Sequence, residues 1–391
     1  MKNIQSKTDL AINGAPPAFD EPLHVGRPNV GEKAEFLKHV DDIFESKWLS
    51  NNGPKVQLLE QRVADYHNVK YCIAMSNGTV ALEIAIRALE LEGEVIIPSY
   101  TFIATAHALS WQGITPIFAD IDPDTHCLDP DSVRKMISPN TTGIIGVHLW
   151  GQTAPVDELQ KIADQHNLKL MFDAAHAFGC SYKGQMIGNF GEAEVLSFHA
   201  TKLFNTFEGG AVLTNNDALA EKMRLMRNFG FSGLDNVIYS GTNGKMTEIC
   251  AAMGLVNLDN LDAVVKRNQE NYRAYQQGID GLPGLSLSTF DESERNNYQY
   301  VVMEVGEDCP VSRDDMVEAL HAENILARKY FWPGCHNMLH YRKLYPHARL
   351  LLPMTEQMSD KVVVLPTGTS LSAEIVNVIT QVVETVVGGK S

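Results

Sequence analysis

The residues able to do chemistry gather around Ser197-Phe198-His199-Ala200-Thr201-Lys202, which runs directly into Leu203-Phe204-Asn205-Thr206-Phe207-Glu208-Gly209-Gly210. One lysine stands a short reach from a serine, between the apolar pair Val195-Leu196 and a Gly-Gly pair. That setting predicts a partly desolvated ammonium, and a lysine held so is an amine nucleophile. Most lysines are solvated surface groups, so the assignment needs a partner. Upstream, Leu168-Lys169-Leu170-Met171-Phe172-Asp173-Ala174-Ala175-His176 is a short apolar run that ends in a carboxylate. Such a run predicts a buried parallel strand, and an acid at its carboxyl end points into the crevice where open α/β sheets bind ligands.

A lysine to hold an aldehyde and an acid to keep a ring nitrogen protonated are together what a pyridoxal phosphate site requires. A third component is Ser76-Asn77-Gly78-Thr79, which joins the strand Tyr71–Met75 to a helix through Leu82, Ala85, Ile86 and Leu89. Free backbone N–H groups at such a junction can hold a phosphate, although the same four residues equally fit an ordinary N-cap turn. Phe102, after the strand Val95–Ile97, either stacks on a flat ring or fills the core. His148 and Trp150, in Val147-His148-Leu149-Trp150-Gly151, close another strand end and either line the site or pack.

The elements that must position these residues alternate along the chain. Residues 1–31, with Pro16, Pro17, Pro22 and Pro28, predict an arm with little regular structure. Helical spacing follows over Glu32–Trp48 and Lys55–Tyr66. Strands at Tyr71–Met75, Val95–Ile97, Ile117–Ala119, Gly143–Val147 and up to Asp173 alternate with helices. This predicts an α/β fold with right-handed crossovers and a mostly parallel sheet covered on both faces. Asp120 to Asp131 reads as a Pro/Asp-rich loop, and Gly230 to Gly244 as a Gly/Ser/Asn-rich one. One long helical pattern runs from Thr247 to about Gln277, and a composition change at Gly278–Gly284 leads into a smaller C-terminal α+β domain. The expected division is an arm at 1–31, a large domain at 32–258 and a small domain at 259–391. The small domain carries Arg328-Lys329-Tyr330-Phe331-Trp332-Pro333 and His336, a cluster that fits an anionic or planar ligand or interdomain packing.

A chain of 391 residues with 44% hydrophobic content can bury a core large enough for both domains. The net charge of -16 argues against nucleic acid as a partner, so any anionic substrate needs a local positive site. Six scattered cysteines, with no C-x-x-C pair and no metal-ligand spacing, predict reduced thiols in a cytoplasmic protein without a metal. No stretch reaches membrane-spanning length, so no membrane partner is expected.

Taken in order, the 197–202 and 208–210 segments, Asp173-Ala174-Ala175-His176, Ser76-Asn77-Gly78-Thr79, Thr101-Phe102-Ile103-Ala104-Thr105 and Val147-His148-Leu149-Trp150-Gly151 resemble the DegT/StrS family of sugar aminotransferases. These are fold-type I pyridoxal 5'-phosphate enzymes. The resemblance implies a large domain with a seven-stranded, mostly parallel sheet and a homodimer with shared active sites. It implies that Lys202 holds the cofactor and shuttles protons, that Asp173 pairs with the pyridinium nitrogen, and that Ser197, Gly78 and Thr79 bind the phosphate. Phe102 would stack on the ring, His176 would lie near the ring hydroxyl where the family usually has glutamine, and Asn243 would reach the phosphate of the neighbouring subunit's cofactor. His148, Trp150 (where tyrosine is common), Tyr330, Phe331 and His336 would lie near the sugar nucleotide.

The wording His-Ala-Thr-Lys with Phe-Asn-Thr-Phe-Glu-Gly-Gly is similar to family members that act on dTDP-4-keto-6-deoxyglucose at carbon 4. The resemblance thus implies amine transfer from L-glutamate to that keto sugar, in deoxyamino sugar synthesis for a lipopolysaccharide O-antigen or related glycoconjugate. Amination at carbon 3, or a GDP- or UDP-linked sugar, would need only small changes in the pocket. Family members that dehydrate sugars carry histidine in place of the lysine, which Lys202 argues against. A non-catalytic regulator is disfavoured by the acidic balance and the lack of a basic helix-turn-helix.

Overall fold

The computed structural model describes residues 4–388; the ends of the arm and of the small domain, 1–3 and 389–391, lie outside the described residues. Seven strands make the main sheet: β1 (Tyr71–Met75), β2 (Glu94–Pro98), β3 (Thr115–Ala119), β4 (Thr141–Val147), β5 (Lys169–Asp173), β6 (Ala193–Ser197) and β7 (Gly210–Thr214). Their spatial order is β1-β7-β6-β5-β4-β2-β3. Strand β7 is antiparallel to both neighbours, and the other adjacent pairs are parallel. This is the mostly parallel sheet that the strand–helix alternation implies. Because helices cover both faces, strand residues pointing either way are apolar. Met75, Ile97, Ile145, Met171 and Val195 pack toward the helices Gly78–Ala88, Ile103–Ser110 and Asp217–Met226, while Ile96, Ile144, Leu170 and Phe172 pack toward Val156–His166.

Three further strands, β8 (Leu285–Leu287), β9 (Val301–Val305) and β10 (Val362–Leu365), form a small antiparallel sheet. The helices Leu261–Ile279, Arg313–Ala322 and Ala373–Val387 pack on it around Tyr275, Val301, Met303 and Ile379. The long helical pattern beginning at Thr247 is two helices, Glu248–Asp259 and Leu261–Ile279, broken at Asn260. The Asn260 side chain donates to the Val256 carbonyl at 3.0 Å, the local competition that makes asparagine a poor helix-interior residue. The break lets one half bury itself beside the main sheet while the other covers the small one.

The segment taken as a loop up to Asp131 ends instead in a helix, Pro130–Met136. Proline occupies its first turn, and the Asp129 carboxylate accepts from the N–H groups of Asp131 and Ser132. Seven residues are too few for a periodic signal. Among its described residues the arm has only two 3-10 turns and a two-residue pairing of Leu23–His24 with Ile325–Leu326. The buried Glu323 carboxylate ties it down by accepting from the Ala11 and Ala18 N–H groups.

After Arg328 the chain returns to the main sheet. Cys335, Tyr341 and Leu352 join the core over Ile97 and Phe118, and Tyr341 bonds His107 at 2.8 Å and Ser110 at 3.0 Å. Just past β3, the buried Asp120 accepts from Met354 N–H, Thr355 N–H and the Thr355 hydroxyl at 2.8 to 2.9 Å. Asp120→Ala leaves those donors without their acceptor. It is expected to lower stability by about 3 kcal/mol in urea unfolding: the three charge-assisted bonds contribute roughly 1.5–3 kcal/mol each, and removing the carboxylate also removes its desolvation cost of several kcal/mol.

Candidate functional site

A cavity of about 530 Å³ opens at the carboxyl ends of β4, β5 and β6, where open α/β sheets place their ligands. Asp173, the last residue of β5, and Lys202, five residues past the end of β6, both line it. Asp173 is buried; its Oδ2 accepts from the Thr105 hydroxyl at 2.8 Å and its Oδ1 from Ala175 N–H at 3.1 Å. Burial pushes its pKa up, opposed by those two bonds and by the charges of Lys202 and His148. Lys202 keeps some surface open to the cavity, but protein closely surrounds its amine. Burial lowers the Lys202 pKa to about 8, and the Asp173 carboxylate raises it by less. Its nearest polar side-chain partner is the Tyr300 hydroxyl at 3.5 Å.

The opposite end of the cavity is built by the helix Gly78–Ala88 and by Ser197 at the end of β6. Asn77 caps that helix by accepting from Val80 N–H at 2.8 Å, which leaves the first N–H groups and the positive end of the helix dipole to the cavity. The helix can approach Ser197 because Gly78 lacks a side chain: a Cβ there would lie 3.0 Å from Ser197 Cβ and 3.2 Å from its hydroxyl. Gly210, at the start of β7, is needed for the same junction, since a Cβ would fall 2.6 Å from the Asn77 carbonyl carbon. The resulting turn is an N-cap whose unsatisfied N–H groups lie at the cavity, the arrangement an anion requires.

One wall is aromatic. Phe102 is 58% exposed and faces Phe331 across 6.4 Å, while Tyr330, Phe331 and Trp332 line the mouth with Arg328 and Lys329. His176 also lines the cavity, with its ring 4.4 Å from that of Tyr300. Burial, reinforced by the nearby Lys202 charge, holds its pKa well below the usual imidazole value.

Gly78, Thr79, Phe102, Asp173, His176, Ser197, Lys202, Tyr330 and Phe331 thus line one cavity. Four other candidates lie elsewhere. His148 is sealed in the core, stacked on Phe172 at 4.7 Å, with Nε2 3.3 Å from the equally buried Glu194 carboxylate. Trp150 lies behind the aromatic wall, stacked on Phe331 at 5.2 Å. His336 is buried in a bridge, with Nδ1 2.7 Å from Ser99 Oγ and Nε2 2.7 Å from Glu356. Asn243 is exposed on the 230–244 loop, away from this chain's cavity. Conversely, Thr105 and Tyr300 meet Asp173 and Lys202 although the sequence assigns neither a role. Thr105 lies within the motif around Phe102, but nothing in Asn-Asn-Tyr-Gln-Tyr marks Tyr300.

The buried acid, the lysine of depressed pKa, the anion cradle and the flanking aromatics fit pyridoxal phosphate, and their places on the sheet are those of a fold-type I enzyme that uses it. Residues 31–386 match the DegT/DnrJ/EryC1/StrS aminotransferase family, and the chain belongs to that family. It is 36% identical to the dTDP-4-amino-4,6-dideoxy-D-glucose transaminase of Escherichia coli over 93% of this chain and 98% of the relative. Among solved structures, DesI in the presence of its TDP-sugar product superposes with a TM-score of 0.92 at 46% identity, covering 96% of this chain and 95% of that one. The PLP form of the putative sugar aminotransferase Spr1654 from Streptococcus pneumoniae gives a TM-score of 0.87 at 25% identity, covering 94% of this chain and 99% of that one. The chain is thus a pyridoxal phosphate-dependent aminotransferase.

The depressed Lys202 pKa has a measurable consequence in cofactor-free protein. A protonated amine is not a nucleophile, so capture of pyridoxal phosphate should accelerate roughly tenfold per pH unit below the pKa. It should level off above about 8. Growth of the visible absorbance band after mixing measures the rate, and a rate that keeps climbing toward pH 10, the ordinary lysine value, would show a solvated amine.

Proposed function

We propose that this enzyme transfers an amino group from L-glutamate to carbon 4 of dTDP-4-keto-6-deoxyglucose, in a route to a deoxyamino sugar for a lipopolysaccharide O-antigen or related surface glycan. The observation that carries the reading is the meeting of Lys202 and Asp173 in one cavity whose mouth is both cationic and aromatic. The names of the Escherichia coli relative and of DesI support the choice of nucleotide and carbon.

In this reading Lys202 holds the cofactor, Asp173 keeps its ring nitrogen protonated, and Ser197, Gly78 and Thr79 bind its phosphate. Phe102 lies against the ring face, and His176 meets the ring hydroxyl. When bound, pyridoxal phosphate supplies an electron sink that makes the α-proton of an amino acid removable and stores the amine between half-reactions. The Lys202 amine takes the α-proton of glutamate and later delivers a proton to carbon 4 of the sugar. Burial brings its pKa close to the working pH, so it can do both. Arg328 and Lys329 at the mouth supply the local positive charge that a nucleotide diphosphate needs on an acidic protein, and Tyr330, Phe331 and Trp332 offer planar faces. His148, Trp150 and His336 then support the site from behind. Residues 32–258 serve as the cofactor-binding domain and the residues from 259 as the small domain that closes its mouth.

Lys202→Ala should lower transfer by roughly 10⁴-fold with the fold retained, and Asp173→Asn by roughly 10²-fold with the cofactor still bound. A panel of nucleotide-linked keto sugars with L-glutamate, the products located by NMR, tests the substrate. Amination of only a carbon-3 ketone or a UDP sugar would redirect the assignment.

The enzyme works as a homodimer in the cytoplasm. Large apolar side chains stand exposed on the first helix and after it (Phe44 73%, Leu49 63%) and on the loop that carries Asn243 (Leu234 92%, Val237 56%), as a face awaiting a second copy would leave them. If Asn243 completes the partner's site, inactive Lys202→Ala and Asn243→Asp chains should complement on mixing. Random pairing restores about one-quarter of the sites, because half of the dimers are mixed and each carries one intact site. Mixtures as inactive as their components would place Asn243 outside the partner's site.

A further inference from the structure

Trp150 is a bulky residue in the left-handed region, with φ 62 and ψ 4. Such a conformation persists only where the surroundings over-determine it, and it is a pointer to function. Here the surroundings are explicit. The indole Nε1–H donates to His126 Nδ1 at 3.1 Å, and His126 Nε2 lies 3.3 Å from a Glu304 carboxylate oxygen on β9. The indole face stacks on Phe331 at 5.2 Å, with edge contacts from Tyr300 at 5.4 Å and Tyr100 at 6.3 Å. What the left-handed turn achieves is a direction: the Trp150 amide N–H points at His176 Nδ1, 3.3 Å away. Asn297 fixes the other side of His176 by donating to its carbonyl at 2.8 Å.

We propose that Trp150 is a positioning residue whose strained backbone selects the tautomer of His176, so that Nε2–H faces the cavity as a hydrogen-bond donor to the ring oxygen of the bound cofactor. This rests on the reading that His176 meets that ring. A neutral imidazole whose Nδ1 accepts must carry its proton on Nε2. Among the described residues Nε2 makes no hydrogen bond, and it is not one of the buried side-chain atoms lacking a partner, so this edge opens to the cavity that His176 lines. The titratable groups that face the ring are Lys202, from the loop after β6, and Tyr300, just before β9, with Asp173 three residues earlier on its own turn. Burial and the Lys202 charge keep the imidazole neutral. A glutamine at this place could donate through its amide without further help. A histidine has two nitrogens and needs its proton assigned, which is what the Trp150 N–H supplies.

The test uses holoenzyme labelled with ¹⁵N-histidine, in which ring-nitrogen shifts distinguish the two tautomers and the His176 signal is assigned by its loss in His176→Gln. The wild type should show the Nε2-protonated form alone. Trp150→Gly, which tolerates positive φ and keeps the amide N–H, should retain it. Trp150→Val should give a mixture of tautomers, as should His126→Leu, which removes the indole's anchor and serves if the valine variant does not fold. In parallel, the pH midpoint of the visible band should move by about one unit in His176→Leu and by less in Trp150→Val, while His176→Gln stays near wild type. A single Nε2–H tautomer in both Trp150→Val and His126→Leu would overturn the role of Trp150. An unmoved midpoint in His176→Leu would instead remove His176 from the ring, and the proposal would fall with that placement.

Discussion

The structure is organised around the cost of keeping a carboxylate and an amine out of water in one cavity. Taking either charge from bulk solvent costs several kcal/mol, and mutual attraction offsets that only where geometry and further hydrogen bonds are fixed in advance. Asp173 has both: it sits at the end of a central strand, and Thr105 and Ala175 donate to its two oxygens. Lys202 gains less from its neighbours, so burial dominates and its proton is loosely held. The asymmetry suits their tasks. Under the proposed roles, the acid that holds a ring nitrogen protonated is the anchored one, and the amine that exchanges protons and partners is the one left free.

The rest of the chain supplies the rigidity that this arrangement demands. Gly210 lets a strand and a helix start converge where a side chain would collide with the Asn77 backbone, and Gly78 leaves the helix start close to Ser197 without crowding it. The aromatic wall comes from a segment remote in sequence, which two buried polar bridges fasten to the main sheet. One joins Ser99 to His336 and Glu356, and the other joins Asp120 to Met354 and Thr355. The wall and the cationic mouth are thereby held at a set distance from β5 and β6. Loosening either bridge would move the aromatic wall without touching Asp173 or Lys202.

Polar groups behind the wall extend the same logic. His126, Trp150 and Glu304 form a chain from the small sheet to the turn after β4, and it ends on His176. The cavity thus receives a neutral imidazole oriented by groups that never touch a ligand. Strain at Trp150 is tolerated because stacking and the indole hydrogen bond hold the residue from several sides.

Much of this was legible in the sequence because it is written locally. Apolar runs of strand length, helices between them, and polar residues at strand ends placed Lys202, Asp173, Ser197, Gly78 and Phe102 at one edge of a parallel sheet, where the cavity lies. What sequence could not decide was direction. His148 and Trp150 come just after a strand end as Asp173 closes one, yet both turn into the core, because a strand end fixes where a residue sits and not which way the next turn rotates it; His336, ten residues past Leu326, is buried as well. Tyr300 reaches Lys202 only because the small sheet shares a core with β4 and β5, a contact between residues 98 positions apart. The break at Asn260 and the short helix at Pro130 were equally hidden: periodicity reports a buried face, and neither a one-residue interruption nor a two-turn helix changes it enough to read. Local sequence determined which chemical groups this protein owns and along which edge they lie. Long-range packing alone decided which of them face the cavity, in what protonation state, and with which nitrogen carrying the proton.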